Sequence, residues 1–295
     1  MTLLALAAAC SACTDDALYE KEMYKNVVAL ISSDDYNIFE EAVALSPTGE
    51  EATCYIAACT GGTHAPSKDM VIRLEEDPEA LDYYNRSQYD VDETRYAKFL
   101  SPDKYTIEDY QIRIPAGERT GRTMVKIQPE GLSPDSTYFI SLKAVDVSGV
   151  EINPDKNTIL YQVLYKNAYA TQEEEVYYSM TGLADEVPTS SNKRVFPLAY
   201  NSVRTTVGTE VFESDLDHIA QTAIVLEVDA DNQVTIKPYK DIQVTQIDDI
   251  DYPNIFRVEE LYGHTYNVFL IAYQYVLDGE THTMKEELRL EVTND

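Results

Sequence analysis

Short runs with apolar side chains at alternate positions recur along most of the chain. Between them lie clusters of Gly, Pro, Asn and Asp, such as Thr60-Gly61-Gly62. Alternation places successive side chains on opposite faces, so each run predicts a half-buried β-strand. Short strands separated by regular turns are typical of a β-sandwich. The strands predicted in the first half are Asn26–Ile31, Ala52–Ala58, Asp69–Leu74, Tyr110–Ile114, Thr123–Ile127, Tyr138–Val145 and Leu160–Leu164.

The segment Gly131-Leu-Ser-Pro-Asp-Ser-Thr-Tyr138 carries the pattern Leu-x-Pro-x-x-x-Tyr directly before a predicted strand. It resembles the tyrosine corner of immunoglobulin-like and fibronectin-type modules, in which the tyrosine hydroxyl bonds back to the loop backbone. The pattern therefore predicts an immunoglobulin-like β-sandwich over residues 25–171, and a structural role for Tyr138.

One segment, Pro78–Leu100, departs from the strand pattern because it is polar and rich in tyrosine. Pro78 and Glu79 suit the first turn of a helix, so we expect one or two short helices inserted between strands. The tyrosines of this insertion either form an aromatic platform or cover the edge of the sandwich, and we favour the cover. They are Tyr83, Tyr84, Tyr89 and Tyr96.

After an acidic linker at 172–175, a second β series predicts a second domain over residues 172–295, either a β-sandwich or a small β-barrel. Asp229-Ala230-Asp231-Asn232 and Leu277-Asp278-Gly279-Glu280 are predicted hairpin turns, and Ser214–Gln221 a short helix. The predicted strands are Val176–Met180, Arg194–Leu198, Ser202–Val207, Ala223–Val228, Gln233–Pro238, Ile242–Ile247, Thr265–Val276 and Thr283–Val292.

The charge of the chain limits the classes of molecule that it is expected to bind. Lys and Arg number 23 and Asp and Glu 52, which gives a formal net charge of −29. Binding to nucleic acid needs clustered Lys and Arg against phosphates, so no nucleic-acid partner is expected. Tyrosine occurs 23 times and tryptophan not at all. Tyrosine rings stack on sugars, but we expect most of them on strands, where aromatic residues pack well.

Residues Leu3 to Ala9 form an apolar run that ends at Cys10. The run is too short to span a bilayer as a helix and resembles the end of a bacterial lipoprotein signal. Small residues precede both Cys10 and Cys13, and Thr14-Asp15-Asp16 follows Cys13. That acidic segment resembles the export tag of Bacteroidetes surface lipoproteins. We therefore predict lipidation at Cys13, with Cys10 as the alternative.

This prediction makes residues 1–13 a signal remnant ending at the lipidated cysteine and residues 14–24 a tether. Several acyl chains on one cysteine would hold the protein in outer-membrane lipid. The first basic residue is Lys21, so the basic segment that normally opens such a signal is missing. Either the start codon lies further upstream or the sequence is trimmed, and we favour the first.

No cofactor or metal site is predicted. Cys54 and Cys59 lie five residues apart, which points them to opposite faces of a strand and leaves them too far apart to bridge. No histidine stands at ligand spacing from them, so we interpret both as small buried thiols. The acidic turn at 229–232 lacks the remaining ligands of a calcium loop.

No catalytic constellation stands out. Asp248-Asp249-Ile250-Asp251 is similar to the carboxylate run of chitinase-like glycosidases, but Pro253 occupies the position of their acidic glutamate, and the alternation of strands and helices in their barrel is missing. The histidines are scattered through polar or turn contexts without a partner serine or cysteine. We therefore predict no enzyme activity and no catalytic residue. The histidines are His64, His218, His264 and His282.

Longer segments give a more specific resemblance. They are similar to Bacteroidetes two-domain lipoproteins of unknown function, whose N-terminal domain also precedes certain endo-β-N-acetylglucosaminidases. In the first half the segments are Cys13-Thr-Asp-Asp-Ala-Leu-Tyr-Glu20, Lys25-Asn-Val-Val-Ala-Leu-Ile-Ser32, Leu74-Glu-Glu-Asp-Pro78, Tyr96-Ala-Lys-Phe-Leu-Ser-Pro102, Pro115-Ala-Gly-Glu118, Gly131–Tyr138 and Asn153-Pro-Asp-Lys156. In the second half they are Pro197-Leu198, Asn201-Ser-Val-Arg204, Val234-Thr-Ile-Lys-Pro-Tyr239, Tyr252-Pro-Asn254 and Met284-Lys-Glu-Glu-Leu288.

Members of that family commonly accompany outer-membrane importers in polysaccharide-utilisation loci. The resemblance implies a non-catalytic lipoprotein, anchored in the outer membrane and exposed at the cell surface, that binds or presents glycan. Glycan, host N-glycan included, outer-membrane lipid and an importer complex are the expected partners. The alternative is a structural or protein-interaction module of a surface complex or adhesin. The resemblance assigns no glycan-binding residue.

Overall fold

The computed structural model describes residues 24–147 and 149–292. In this part of the chain it contains twenty β-strands and two α-helices, α1 at Pro78–Tyr89 and α2 at Leu216–Thr222. Neither helix is long and apolar enough to cross a membrane. The predicted lipidation at Cys13 or Cys10 lies outside the described residues, as do the signal remnant and nearly all of the tether.

The first half is an immunoglobulin-like sandwich of two packed sheets, as predicted. In chain order its strands are β1 Val27–Leu30, β2 Ile38–Ala44, β3 Ala52–Gly61, β4 Met70–Glu76, β5 Lys98–Phe99, β6 Tyr105–Ile107, β7 Gln111–Ile114, β8 Thr120–Ile127, β9 Tyr138–Val147, β10 Glu151–Ile152 and β11 Thr158–Lys166. One sheet has the order β10-β1-β3-β8-β6, and the other has the order β2-β11-β9-β4-β7 with β5 beside β9.

The core of the sandwich follows from the alternation in its strands. On β3 the side chains of Cys54, Ile56 and Ala58 point inward, while the residues between them are partly exposed. Val125 on β8 and Leu142 on β9 belong to the same buried cluster. Removal of this apolar surface from water is the main force that holds the two sheets together.

The helical insertion covers one edge of the sandwich. Helix α1 begins at Pro78 and buries Leu81 and Asn85. The side-chain amide of Asn85 donates to the carbonyl of Ala97 at 2.9 Å and accepts from its N–H at 2.8 Å, which ties the following loop to the helix. The predicted segment ran to Leu100, but the α-helix ends at Tyr89, and a 3₁₀ turn follows at Glu93–Arg95.

The second half is a nine-stranded sheet with the order β16-β15-β14-β13-β12-β20-β19-β17, in which β18 also pairs with β19. Its strands are β12 Val176–Ala184, β13 Val187–Ala199, β14 Ser202–Thr206, β15 Ala223–Val228, β16 Val234–Pro238, β17 Gln243–Gln246, β18 Ile255–Leu261, β19 His264–Leu277 and β20 Glu280–Val292. Both predicted hairpin turns are confirmed, since β15 pairs with β16 and β19 with β20.

This sheet curls until its two ends meet, so the second half is a nearly closed barrel. Gln233 and Ile255 form a β-bridge between the segments that lead into β16 and β18. The Val234 N–H donates to the Asn254 carbonyl at 2.8 Å, and the Phe256 N–H to the Asn232 carbonyl at 2.9 Å. Closure pairs the strand edges that would otherwise be left open.

Candidate functional site

The tyrosine corner fixes the loop between β8 and β9. The N–H of Ser133 donates to the Tyr138 hydroxyl at 3.3 Å, as predicted, and the Tyr165 hydroxyl donates to the Leu132 carbonyl at 3.1 Å. The Ser133 hydroxyl also accepts from the N–H of Asp135 at 3.2 Å. These bonds hold the loop in one shape and direct Asp135 away from the sandwich, toward the barrel.

Asp135 is the point at which the two halves are joined by charge. Its Oδ1 accepts a hydrogen bond from the guanidinium of Arg204 on β14. Its Oδ2 accepts from the Tyr239 hydroxyl at 2.8 Å and lies 3.6 Å from the Lys240 ammonium. Only 5% of the Asp135 side chain and 2% of the Arg204 side chain are exposed. Burial raises the pKa of Tyr239, so the hydroxyl stays protonated as a donor.

Aromatic rings enclose the Arg204 guanidinium. Its central carbon lies 4.3 Å from the ring centre of Phe196, 5.2 Å from Tyr239 and 5.5 Å from Phe212. Rings at this distance attract a cation through their quadrupole. Nη2 has no hydrogen-bond partner among the described residues. The pair with Asp135 must therefore offset most of the free energy lost when the guanidinium leaves water.

Two adjoining depressions lie over this ion pair, and both are lined in part by Asp135 and Ser214. The groove has a volume of about 410 Å³ and the basin about 660 Å³. Together we call them the junction cleft. The groove is lined mainly by Thr137, Gln162, Gln172, Glu173, Glu174, Glu175, Arg194, Phe196 and Phe212. The basin is lined by Tyr89, Asp92, Thr94, Arg95, Asp135, Ser214, Asp215, Leu216 and Asp217.

The sandwich contributes an aromatic ring and a guanidinium to the basin. The central carbon of Arg95 lies 5.0 Å from the ring centre of Tyr89. A tight turn brings them together, with the Asp92 N–H donating to the Tyr89 carbonyl at 2.9 Å. Within it Asp90 has φ 52° and ψ −111°, a conformation that favours glycine. The Tyr96 hydroxyl holds this strained residue by donating to its carbonyl at 2.6 Å.

The barrel contributes carboxylates from the start of α2. Asp215 caps the helix, because its Oδ1 accepts from the N–H of His218 at 2.8 Å. Asp217 follows in the first turn, and Asp92 faces them from the sandwich side of the basin. Among the described residues none of these carboxylates has a cationic partner, and Arg95 has no carboxylate within 4 Å. The basin therefore offers both hydrogen-bond donors and acceptors to a ligand.

A separate depression of about 570 Å³ lies elsewhere between the halves. Tyr169 and Tyr200 line it, together with Glu130, Asn201 and Asp229. Tyr169 is engaged in the barrel core, with its ring centre 4.9 Å from that of Phe256. This depression has aromatic and polar groups but no guanidinium in its lining, so we rank it below the junction cleft.

Inside the barrel lies a buried polar cluster. The ammonium of Lys193 is 2.8 Å from Oε1 of Glu286 and 2.7 Å from Oε2, and the Tyr273 hydroxyl donates to Oε1 at 2.7 Å. The backbone contributes an acceptor and a donor, since Lys193 donates to the Thr206 carbonyl and the Gly208 N–H donates to Tyr273. All three side chains are enclosed, so this cluster supports the barrel and is out of reach of a ligand.

The structure separates the four tyrosines of the insertion. Tyr84 packs edge-on against Phe139 with ring centres 5.2 Å apart, which confirms the predicted cover for this ring. Tyr83 is largely exposed, and Tyr96 holds the turn. Of the four, Tyr89 alone lines the basin. The sequence pattern presented them as one group and could not divide these roles.

The acidic run at 248–251 and the histidines do not come together in one site of the described structure. Asp249 accepts from the N–H groups of Asp251 and Tyr252, so the acidic run caps its own loop. His282 pairs with Asp185, and His264 with Glu291. No set of three or more potential metal ligands is clustered within residues 24–147 and 149–292.

The two central cysteines are both free. Cys54 is buried, as predicted, but Cys59 is partly exposed, so the prediction of two buried thiols is wrong for Cys59. Their strand positions on opposite faces explain the difference. Burial raises the pKa of the Cys54 thiol to about 11, so it stays protonated and unreactive at neutral pH.

Asp135, Arg204 and Arg95 had no assigned role in the sequence. A signal for Arg204 was present, because it is a single charge within Ser202–Thr206, where the neighbours suit a buried strand. Asp135 lies inside the corner motif, and that motif by itself predicts a structural role only. Nothing in the local pattern of Arg95 pointed to Tyr89.

Two family models divide the chain between them. A model for an N-terminal domain matches residues 19–151, and a model for a C-terminal domain matches residues 157–289. The chain belongs to this two-domain family. The match confirms the resemblance read from the sequence segments. The C-terminal model takes in β11, although this strand pairs with β9 and β2 of the sandwich.

Solved structures from Bacteroides share the fold of this family member over nearly its whole length. A Bacteroides ovatus protein of unknown function is 14% identical with a TM-score of 0.69, over 94% of each chain. A second one is 15% identical with a TM-score of 0.66, over 90% of this chain and 94% of its own.

A Bacteroides thetaiotaomicron protein described as an auxiliary nutrient binding protein is 14% identical with a TM-score of 0.61, over 88% of this chain and 94% of its own. No curated protein matches the chain.

Proposed function

We propose that the protein is a non-catalytic binder of oligosaccharide, and that the ligand lies in the basin of the junction cleft. The observation that carries the proposal is the Tyr89–Arg95 stack facing Asp92, Asp215 and Asp217. A sugar presents apolar C–H faces together with hydroxyls that both donate and accept. The basin supplies an aromatic ring, a guanidinium and carboxylates within one depression, which matches this mixed chemistry.

The size and rigidity of the cleft also favour a saccharide. Its two depressions, about 410 and 660 Å³, fall in the range of small-molecule sites. The Asp135–Arg204 pair joins the halves beneath it, so the lining groups from the two halves are held in place before a ligand arrives. A preorganised site loses less conformational entropy on binding.

We further propose that the protein acts at the cell surface, anchored in the outer membrane through Cys13, as a glycan-retaining component beside an importer complex. The predicted lipoprotein signal and the relative described as a nutrient binding protein support this role. Palmitate labelling of cells that express the wild type, Cys13→Ala or Cys10→Ala tests the anchor. Loss of label in Cys10→Ala alone would contradict the assignment to Cys13.

Glycan binding is tested with purified full-length protein in affinity electrophoresis through gels that contain yeast mannan, xyloglucan, laminarin or arabinogalactan. We expect at least one polysaccharide to retard the protein. Oligosaccharides from that polysaccharide should then bind in calorimetry. We expect Tyr89→Ala to weaken binding by about tenfold, or about 1.4 kcal/mol, because it removes the ring and the support for Arg95.

Two further tyrosines serve as matched controls. Tyr83 is an exposed tyrosine of the same helix outside the cleft, and Tyr200 lines the separate depression. Tyr83→Ala and Tyr200→Ala should both bind as the wild type does. Loss of binding in Tyr200→Ala with full binding in Tyr89→Ala would move the site to the separate depression. Retardation by none of the polysaccharides would reject the function itself.

The alternative function, a protein-interaction module of a surface complex, is favoured by apolar side chains near the basin. Leu216 lines the basin and is 45% exposed, and Val91 directly precedes the lining residue Asp92 and is 85% exposed. Exposed apolar side chains that lie close together are typical of protein contacts. Co-purification of one outer-membrane protein with the wild type, but not with Val91→Ser/Leu216→Ser, together with no retardation by glycan, would favour this alternative.

A further inference from the structure

From the charges that line the junction cleft, we infer that it selects uncharged glycans and rejects glycans that carry carboxylate or sulfate groups. This inference rests on the proposed function and specifies the substrate class of the same site. Seven carboxylates and two guanidiniums line the groove and the basin. A ligand that enters the cleft therefore meets mostly negative charge.

Ion pairing does not remove this excess. Arg194 pairs with Glu175 at 2.9 Å, Lys166 pairs with Glu173 at 3.1 Å, and the Asp135 carboxylate is paired with the buried Arg204. Among the described residues, Asp92, Asp215 and Asp217 in the basin have no cationic partner. Arg95 is the one guanidinium in the basin lining, and it shares this lining with the three carboxylates.

An uncharged sugar can form hydrogen bonds with both the carboxylates and the guanidinium of the basin. Its hydroxyls can donate to the free carboxylate oxygens and accept from the Arg95 guanidinium, and hydrogen bonds to charged groups are the stronger ones. A uronate or sulfate group can pair with Arg95 only while it lies close to the three carboxylates. Like charges at such distances oppose binding.

The charge of the whole chain also opposes the binding of anionic glycans. At a formal net charge of −29 the surroundings of the cleft are negative as well, so anionic polymers are repelled before contact. This long-range contribution falls steeply with ionic strength, whereas the contribution of the carboxylates in the cleft acts over a shorter distance and falls less. Binding measured at low and at high salt therefore separates the contribution of the whole chain's charge from that of the carboxylates in the cleft.

The test compares one neutral polysaccharide with its own charged derivative. The neutral polysaccharide retained in the affinity gels is carboxymethylated, and a hydroxyethylated sample of it serves as the control for added bulk. We expect the carboxymethyl derivative to bind at least about tenfold more weakly than the hydroxyethyl derivative at 0.15 M salt. Part of this difference should remain at 1 M salt.

A charge-removing variant assigns the selectivity to the basin. In Asp215→Asn/Asp217→Asn the helix keeps its cap, because asparagine caps as well as aspartate. The preference for the uncharged derivative should fall several-fold in this variant. Asp248→Asn/Asp251→Asn removes the same charge from an exposed loop outside the cleft lining and should leave the preference unchanged.

The outcomes separate the two proposals. Equal binding of both derivatives, or equal effects of the two double variants, would overturn the selectivity while glycan binding stands. If no neutral polysaccharide is retained, the proposed function itself fails. Stronger binding of polygalacturonate or chondroitin sulfate than of every neutral polysaccharide would also overturn the selectivity.

Discussion

At the scale of single residues, Lys193 and Glu286 face each other inside the barrel. Lys193 is 1% exposed and Glu286 is fully buried. Burial lowers the pKa of Lys193, and the Glu286 carboxylate opposes that shift. The bonds to Tyr273, to the Thr206 carbonyl and from the Gly208 N–H satisfy most of the remaining donors and acceptors. Such a pair adds little net stability but makes the loss of either partner costly.

We expect Lys193→Met to lower the free energy of unfolding by about 3–5 kcal/mol, because it leaves Glu286 charged and unpaired in the barrel interior. Replacing the whole cluster, as Lys193→Met/Tyr273→Phe/Glu286→Leu, should restore most of the loss. Urea unfolding followed by circular dichroism measures both values.

Lys237→Met provides the control for this prediction. Lys237 forms an exposed pair with Glu227, so its loss should cost at most about 1 kcal/mol. A Lys193→Met effect no larger than this would mean that the buried ion pair contributes no more than a surface pair.

At the scale of elements, one loop and one strand decide how the halves meet. The corner loop carries Asp135 at a sequence distance of 69 residues from its partner Arg204 on β14. A second contact supports the junction, because the side-chain amide of Asn167 donates to the carbonyls of Ala199 and Ser202. The shape of the cleft therefore depends on elements that are far apart in the chain.

We expect Asp135→Ala to destabilise the protein by about 3–5 kcal/mol, since Arg204 then stays buried without a counter-charge. The change should also uncouple the halves, so that calorimetry resolves two unfolding transitions where the wild type shows one. Affinity for the neutral oligosaccharide should fall as well.

Asp103→Ala is the matched control for Asp135→Ala, because Asp103 is an exposed aspartate in the sandwich near the start of a short strand. Asp103→Ala should leave the free energy of unfolding, the single unfolding transition and the affinity for the oligosaccharide unchanged. A single transition and wild-type affinity in Asp135→Ala would show that the junction does not depend on this ion pair.

Several strands, β2 and β18 among them, were not predicted from the sequence. Strand β2, Ile38–Ala44, has Glu40 and Glu41 at its centre, and it pairs only along one side, in parallel with β11. Strand β18, Ile255–Leu261, is mostly exposed and pairs with β19. Edge strands bury few side chains, so they show little of the alternation from which a strand is predicted.

At the scale of the whole molecule, many tyrosine hydroxyls are buried. Burial raises the pKa of Tyr105 and of Tyr275 to about 12. It also raises the pKa of further tyrosines that pack in or against the cores. They are Tyr84, Tyr161, Tyr165, Tyr169, Tyr178, Tyr239 and Tyr273.

These shifts predict a loss of stability in alkali. A tyrosine whose folded-state pKa is raised binds its proton more tightly in the folded state. Its contribution to the free energy of unfolding is complete below pH 10 and is lost as the pH rises from 10 through about 12. We therefore expect the urea midpoint to fall steadily above pH 10, with several tyrosines ionising only as the protein unfolds.

Absorbance at 295 nm during a pH titration measures tyrosine ionisation directly. In 8 M urea all tyrosines should titrate together near pH 10, whereas the native protein should show a second, later group. Complete and reversible ionisation near pH 10 without urea would contradict the burial of these hydroxyls.

Features that depend only on neighbouring residues in the chain could be predicted from the amino-acid sequence. Alternation located most strands, the Leu132–Tyr138 pattern located the corner, and turn residues located the hairpins at 229–232 and 277–280. Each is fixed by side-chain direction or turn geometry within a few residues. The segments of family resemblance gave the two-domain family for the same reason, because they are local patterns.

Which distant residues meet could be seen only in the folded molecule. The Asp135–Arg204 pair, the Lys193–Glu286 pair and the basin beside Tyr89 join residues brought together by sheet order and barrel closure. Local periodicity states whether a side chain points inward, but not which side chain it meets there. That choice depends on the pairing of strands far apart in the chain, and the junction cleft results from it.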